Sequence, residues 1–140
     1  PGEMIDSAAA ALQALGLPPA EIHFERFTPA ADAAPRKPAS ERAKAAAEAG
    51  ARVSAILDGA TRSFALEDGT VLEAAHRAGL ELPFSCAGGM CCTCRCKVVE
   101  GEAEMAVNYS LEPWEVEAGY VLACQARPVT KTLVLDFDQV

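Results

Sequence analysis

The chain has 140 residues, of which 51% are hydrophobic and 23% charged, and a formal net charge of −8. This length suits one ordinary domain, and the composition is typical of a soluble globular protein. The acidic balance argues against nucleic-acid binding, which needs clustered Lys and Arg, and no apolar run reaches the roughly 20 residues that a membrane span requires.

The N-terminal region, residues 1–27, contains one predicted helix and one predicted strand. Residues 5–15 form an Ala-rich helical pattern that Gly16 stops, and residues 22–27 alternate apolar and polar side chains. One helix and one strand cannot bury a core, so we interpret this region as a partial α/β remnant of something larger. Residues 1–4 lack the basic start of a secretion signal, and we expect a cytoplasmic protein.

Residues 28–50 are predicted to be an Ala/Pro-rich linker. Three prolines lie within residues 28–38, where no apolar period drives packing. Residues 40–49 suit a short Ala-rich helix, although an isolated helix of this length is marginal in water.

Residues 51–140 are predicted to be the folded domain. Residues 53–57 and 62–66 have strand character and flank Asp58-Gly59, a turn pair that favours a β-hairpin. The domain therefore begins with two antiparallel strands.

A helix follows the hairpin. Thr70 and Glu73 fit a capping box at its start, and Gly79 closes it. The later segments are strands at 96–100, 120–124 and 132–137, and a short acidic helix at 112–118. This order predicts a small α+β domain with one helix across a mixed sheet.

The cysteines carry the chemistry of this sequence. Cys86, Cys91 and Cys94 have the spacing C-x4-C-x2-C, and Cys124 follows in a later segment. This is the plant-type spacing for a [2Fe–2S] cluster. Two irons bridged by two sulfides need thiolates from two directions, so one loop cannot supply all four. We predict a [2Fe–2S] cluster on these four cysteines.

Four further residues are predicted to support the cluster loop. Gly88 and Gly89 permit a tight loop and leave amides free to point at sulfur, and the hydroxyls of Ser85 and Thr93 can add hydrogen bonds. Such bonds stabilise the reduced cluster. Plant-type clusters have potentials of about −400 mV, so we expect a one-electron donor of low potential.

A structural zinc site is the alternative use of these cysteines. Zinc sites favour paired Cys-x2-Cys knuckles, and only Cys91 and Cys94 form such a pair. We expect His23 and His76 to be surface or packing residues.

The remaining two cysteines are predicted to be bystanders. Cys92 adjoins a ligand and is expected to point away from the cluster. Cys96 enters a strand and is expected to be a small buried hydrophobe.

Residues 86–94, together with residues 119–128, closely resemble the plant-type ferredoxin family. The resemblance covers about residues 52–138 and implies the β-grasp fold. One departure is Cys92, where the family usually has Gly, Ser or Ala.

The same resemblance implies how the irons share the ligands. Cys86 and Cys91 would hold the iron nearer the surface, and Cys94 and Cys124 the inner iron.

A second resemblance concerns the N-terminal region. Residues 1–4, 11–18 and 22–27 are similar to the end of the nicotinamide-binding module of ferredoxin-NADP reductase-like flavoenzymes. By this resemblance, FAD and NAD(P)H would bind only in an upstream part that this chain lacks. The expected domains are therefore a remnant of a reductase module at 1–27, a linker at 28–50 and a ferredoxin domain at 51–140.

Reductase first and ferredoxin last is the order found in reductase components of bacterial oxygenases. Within that class, residues 95–101, 106–109 and 119–128 most resemble the reductase subunits of phenylacetyl-CoA epoxidase complexes. This implies a terminal relay that takes electrons from a flavin reductase domain, in cis or in trans, and delivers them to an oxygenase. The alternatives are a free-standing ferredoxin reduced by a separate flavoprotein and, more remotely, a structural zinc module.

Acidic side chains cluster in two places of the predicted domain. They are Glu100, Glu102 and Glu104, and then Glu112, Glu115 and Glu117 on the short helix. Such faces are often simply solvated, but they can also steer a basic partner with a rate that falls as salt rises. Of the aromatic residues, Tyr109, Trp114 and Tyr120 are expected to pack in the core.

Overall fold

The computed structural model describes residues 2–24 and 36–139. The chain divides into two compact units, Pro1–Ala33 and Ala34–Val140. Among the helices of the described residues, none is both long and apolar enough to cross a bilayer.

The first unit contains helix α1, Gly2–Ala14, followed by one 3-10 turn, Pro19–Glu21. Gly16 has a φ of 93° and its amide donates to the carbonyl of Gln13, so the predicted helix and its stop are confirmed. Residues 22–24 of the predicted strand have no regular structure, and residues 25–27 lie outside the described residues. A strand needs a partner strand, and the described part of this unit offers none.

The second unit is built on strands and three helices. In chain order, its elements are α2 (Glu41–Glu48), β1 (Ala51–Leu57), β2 (Ala60–Leu66), α3 (Val71–Arg77), β3 (Arg95–Glu100), β4 (Ala103–Met105), α4 (Pro113–Glu117), β5 (Tyr120–Leu122), β6 (Ala126–Pro128) and β7 (Thr132–Asp136). The predicted hairpin, helices and later strands of the domain are present. β4 and β6 were not expected, because each has only three residues and they contain Glu104 and Pro128, residue types that are depleted in strands.

The main sheet has five strands in the order β2-β1-β7-β3-β5, and β4 pairs with β6 in a separate ribbon. β1 is antiparallel to β2 and parallel to β7, whereas β3 is antiparallel to both β7 and β5. The sheet is therefore mixed, and the α+β, β-grasp fold class is confirmed.

Helix α3 covers one face of this sheet. Its capping box is formed as predicted, with the Thr70 amide donating to Glu73 Oε2 at 2.8 Å and the Glu73 amide donating to Thr70 Oγ1 at 3.4 Å. The buried face of α3 packs on strand residues of the core that include Val53, Leu66 and Leu133. The loop that leaves α3 carries Cys86, Cys91 and Cys94 and leads into β3, the neighbour of β5 in the sheet.

Helix α2 belongs to the same unit as the sheet, so this unit begins before residue 51. Ser40 caps the helix by accepting from the Ala43 amide at 3.2 Å, and Ala43 and Ala46 are buried. The amide of Ser40 in turn donates to Glu104 Oε1 at 2.9 Å. Packing and this long-range hydrogen bond stabilise a helix that is marginal in isolation.

Candidate functional site

Cys86, Cys91 and Cys94 lie on the loop that connects α3 to β3. Ala87, Gly89 and Cys92 adopt positive φ angles of 50°, 81° and 56°. Two of these residues carry side chains, and side chains disfavour this conformation unless the surroundings enforce it. The loop is therefore held in a strained path that turns its amides inward.

Cys86 and Cys91 form the outer pair of cysteines. The Cys86 amide donates to Cys91 Sγ at 3.5 Å, the Gly88 amide donates to Cys86 Sγ at 3.3 Å, and the Thr93 hydroxyl lies 3.3 Å from Cys91 Sγ. Burial raises the pKa of Cys91, but hydrogen bonds with Thr93 and Cys86 outweigh it and lower the pKa to about 6. Both cysteines are partly buried.

Cys94 and Cys124 form the inner pair, and both are buried, with 3% and 4% of their surface exposed. The Ala123 amide donates to the Cys94 carbonyl at 3.0 Å, which brings the two segments together. The hydrogen bond with Cys94 lowers the pKa of Cys124 to about 6, and the Gly89 amide contributes in the same direction. The same hydrogen bond, together with burial, raises the pKa of Cys94.

This donor set fits a thiolate-bound iron–sulfur cluster. Backbone amides point at Cys86, Cys91 and Cys124, as expected around sulfurs that carry negative charge. Within the described part of the chain, no three His, Cys, Asp or Glu side chains converge on one ion-sized point. A two-iron cluster instead takes its cysteines in pairs, and the cysteines are arranged in two pairs.

Three of the four residues that were predicted to support the cluster loop contact a cysteine sulfur. Gly88, Gly89 and Thr93 contact ligand-candidate sulfurs through an amide or hydroxyl, as described above. Ser85 is exposed, and its support role stays a prediction.

Gln125 is a site residue that the sequence reasoning missed. Its side chain is fully buried, and its Nε2 donates to the Ala87 carbonyl at 3.0 Å and to Cys124 Sγ at 3.5 Å. The available signal was a polar residue between Cys124 and Ala126, in an otherwise small and apolar segment.

Cys92 and Cys96 both pack against protein. Cys96 is fully buried as predicted, its Sγ lies 3.7 Å from the Val121 carbonyl, and burial raises its pKa. Cys92 is partly buried against the hydrophobic core. Their roles as non-ligands stay predictions.

The predicted core packing of two aromatic residues is wrong. Trp114 and Tyr109 are 63% and 36% exposed, whereas Tyr120 packs against the core as expected.

The predicted acidic face on the short helix is also wrong in one residue. Helix α4 is only five residues long, and its inward position is taken by Glu115, which is 6% exposed. Glu115 pairs with Arg95 and is therefore no part of an acidic docking face.

The two histidines have the packing and surface positions that were predicted for them. The His76 ring meets Phe84 edge-on with centroids 4.9 Å apart, and His23 is exposed.

Comparison with known proteins places these features in a family. The family described as "2Fe-2S iron-sulfur cluster binding domain" matches residues 55–129, more than half of the chain. This range contains all four cysteines of the two pairs.

Two curated relatives match nearly the whole chain. One is a component of the 1,2-phenylacetyl-CoA epoxidase of Escherichia coli, 45% identical over 99% of this chain and 38% of the relative. The other is the ferredoxin reductase component of 3-ketosteroid-9-alpha-monooxygenase of Rhodococcus rhodochrous, 38% identical over 98% of this chain and 40% of the relative. The chain thus spans about two fifths of the length of these relatives.

One solved structure has a similar fold. Phthalate dioxygenase reductase, described as a modular structure for electron transfer from pyridine nucleotides to [2Fe–2S], matches with a TM-score of 0.50 and 22% identity. The match covers 98% of this chain and 38% of that structure.

Proposed function

Since the chain belongs to the 2Fe-2S iron-sulfur cluster binding domain family, whose members carry electrons, we propose that Cys86, Cys91, Cys94 and Cys124 are its four cluster ligands. The observation that carries this proposal is the arrangement of the thiols in two pairs, with backbone amides directed at their sulfurs. When bound, a plant-type cluster supplies a one-electron donor and acceptor at about −400 mV.

The difference in burial supports an assignment of the irons. Cys86 and Cys91 are partly exposed, and we assign them to the outer iron. Cys94 and Cys124 lie in the core, and we assign them to the inner iron. The outer pair would then mark the side of the domain from which electrons enter and leave, while the inner pair excludes water.

We further propose that the cluster is the terminal relay of an oxygenase reductase. The two curated relatives support this proposal through their names and through similarity that extends into residues 1–27. Residues 1–27 would be the end of a nicotinamide-binding module. Electrons would come from NAD(P)H through a flavin in an upstream part and pass to an oxygenase, with phenylacetyl-CoA epoxidase as the specific candidate.

A free-standing electron carrier is the second candidate. It is favoured by the compactness of the Ala34–Val140 unit, which contains all four cysteines and its own core. In this case a separate flavoprotein would reduce the cluster.

The cluster is tested by metal and sulfide analysis and by electron paramagnetic resonance after dithionite reduction. We expect two irons and two sulfides per chain and a rhombic signal. Replacing each proposed ligand with serine should reduce the cluster content, whereas Cys96→Ser should retain it. One zinc per chain without a rhombic signal would refute the cluster and support the structural zinc module.

The two electron-transfer candidates share one expectation about the source of the electrons and differ in the sequence expected upstream of Pro1. The chain with its cluster should not bleach with NADPH alone, and bleaching without an added flavoprotein would contradict both candidates. A reading frame upstream of Pro1 that encodes a flavin domain would favour the oxygenase reductase. A stop codon there would favour the free-standing carrier.

A further inference from the structure

Gln125 lies in the turn between β5 and β6, and neither this turn nor the core explains its side chain. Its backbone is held by a tight turn, in which its amide donates to the Leu122 carbonyl at 2.8 Å, and by the Ala106 amide, which donates to its carbonyl at 3.0 Å. These bonds require no particular side chain. An apolar residue would satisfy the same backbone and fill the same space.

The side chain of Gln125 instead joins the two halves of the cysteine site. One amide nitrogen carries two hydrogens, and Nε2 directs them at the Ala87 carbonyl, 3.0 Å away, and at Cys124 Sγ, 3.5 Å away. Ala87 lies in the strained loop after Cys86, and Cys124 is in the other segment. One buried group thus contacts both segments.

The orientation of this amide follows from its neighbours. A carbonyl oxygen accepts but does not donate, so only the nitrogen end of Gln125 can face the Ala87 carbonyl. The opposite atom, Oε1, is buried and has no hydrogen-bond partner among the described residues. An unpaired buried carbonyl oxygen lowers the stability of the fold. Stability alone therefore does not explain a glutamine at this position.

The neighbouring glycine provides the space for this side chain. A Cβ on Gly89 would lie 3.2 Å from Gln125 Cγ and 3.2 Å from Val107 Cγ2, tighter than an ordinary contact. Gly89 also donates its amide to Cys124. The loop and Gln125 therefore each direct an N–H at Cys124.

We propose that Gln125 is a positioning residue that raises the reduction potential of the cluster and holds the loop of Cys86 against Cys124. This inference rests on the proposed ligation by the four cysteines. An N–H directed at a ligand sulfur stabilises the reduced state, which carries more negative charge, relative to the oxidised state. Removal of that donor makes reduction harder.

The test uses two variants of the whole chain with its cluster. Gln125→Met keeps an unbranched side chain and removes both donors, and Gln125→Leu removes both donors with a branched side chain of similar size. Potentiometric titration followed by electron paramagnetic resonance gives the potential. We expect the reduction equilibrium to shift about tenfold towards the oxidised form in both variants, which is about 59 mV for one electron.

A destabilised control separates this effect from general loss of stability. Thr70→Val removes the buried cap of α3, so it should lower the unfolding temperature and leave the potential unchanged. The rate of cluster release to a chelator should rise in both Gln125 variants by more than it does in Thr70→Val.

The possible results each decide the proposal. Wild-type potentials in both variants would overturn it, as would a failure of both variants to fold, which would make Gln125 a packing residue. If only one of the two variants fails to fold, the potential of the other decides alone. Absence of a cluster from the wild-type chain would refute the proposed function itself, a result distinct from an unchanged potential in loaded variants.

Discussion

The carboxylate of Glu115 pairs with the guanidinium of Arg95 and thereby joins helix α4 to the start of β3. Arg95 directly follows Cys94, and the Glu115 side chain is 8% exposed. The second oxygen of Glu115 accepts from the Glu112 amide at 2.9 Å, which closes the capping box of α4. One buried carboxylate therefore fixes both a helix start and the start of the strand that directly follows an inner-pair cysteine.

Arg95→Met should destabilise the domain strongly, because it leaves this carboxylate buried without its cation. Arg95 is itself 28% exposed, so we expect a loss of roughly 2 kcal/mol, below the usual cost of breaking a fully buried pair. That loss corresponds to roughly 8 °C in Tm, measured by circular dichroism at a fixed scan rate. Adding Glu115→Gln to Arg95→Met should recover part of the loss.

The exposed pair of Arg42 and Glu102 provides the matched control. Their side chains are 64% and 61% exposed at a separation of 2.7 Å, so Arg42→Met should cost less than about 1 kcal/mol. Equal losses in Arg95→Met and Arg42→Met would contradict the role assigned to the buried pair.

Helix α2 should detach when a charge enters its buried face. Ala46 is 6% exposed and Ala45, beside it, is exposed. Ala46→Glu should therefore speed tryptic cleavage after Arg42 and Lys44 several-fold, whereas Ala45→Glu should leave the cleavage rate near that of the wild type. Mass spectrometry of timed digests measures both rates, and equal rates would show that α2 is not held by this face.

Features that depend on residues close together in the chain could be predicted from the sequence, whereas features that depend on distant residues could not. Local signals predicted the hairpin, the Thr70 capping box and the cysteine loop, because the residues that determine each of them lie close together in the sequence. The docking of α2 depends on Glu104, 64 residues from Ser40, and the role of Gln125 depends on Ala87, 38 residues away. Contacts between residues so far apart produce no pattern in the sequence from which they could be predicted. The exposure of Trp114 was missed because a single-turn helix has too few residues to show an apolar face.

Gly101 should tolerate no side chain. Its φ is 82°, and a Cβ would lie 2.2 Å from the Thr132 carbonyl oxygen, which is backbone and cannot turn away. Gly101→Ala should therefore lower the free energy of unfolding by roughly 3 kcal/mol or more. Gly79→Ala is the control, because Gly79 has a similar φ of 74° but open space around it, and should cost about 1 kcal/mol. Similar Tm values for the two variants would show that β7 can shift to relieve the contact.

Cys92 should be replaceable by glycine without loss of the cluster. Its φ of 56° is unfavourable for a side chain and natural for glycine, while its carbonyl accepts from the Arg95 amide at 2.9 Å, a bond that the variant keeps. Cys92→Gly should retain two irons per chain and raise the free energy of unfolding by up to about 1 kcal/mol, less the packing that the thiol contributes. Cys91→Gly, one residue earlier, should lose the cluster. Iron and sulfide analysis of both variants measures the difference. Because adjacent cysteines are compared, loss of iron in Cys92→Gly would mean that the ligand assignment in this loop is wrong.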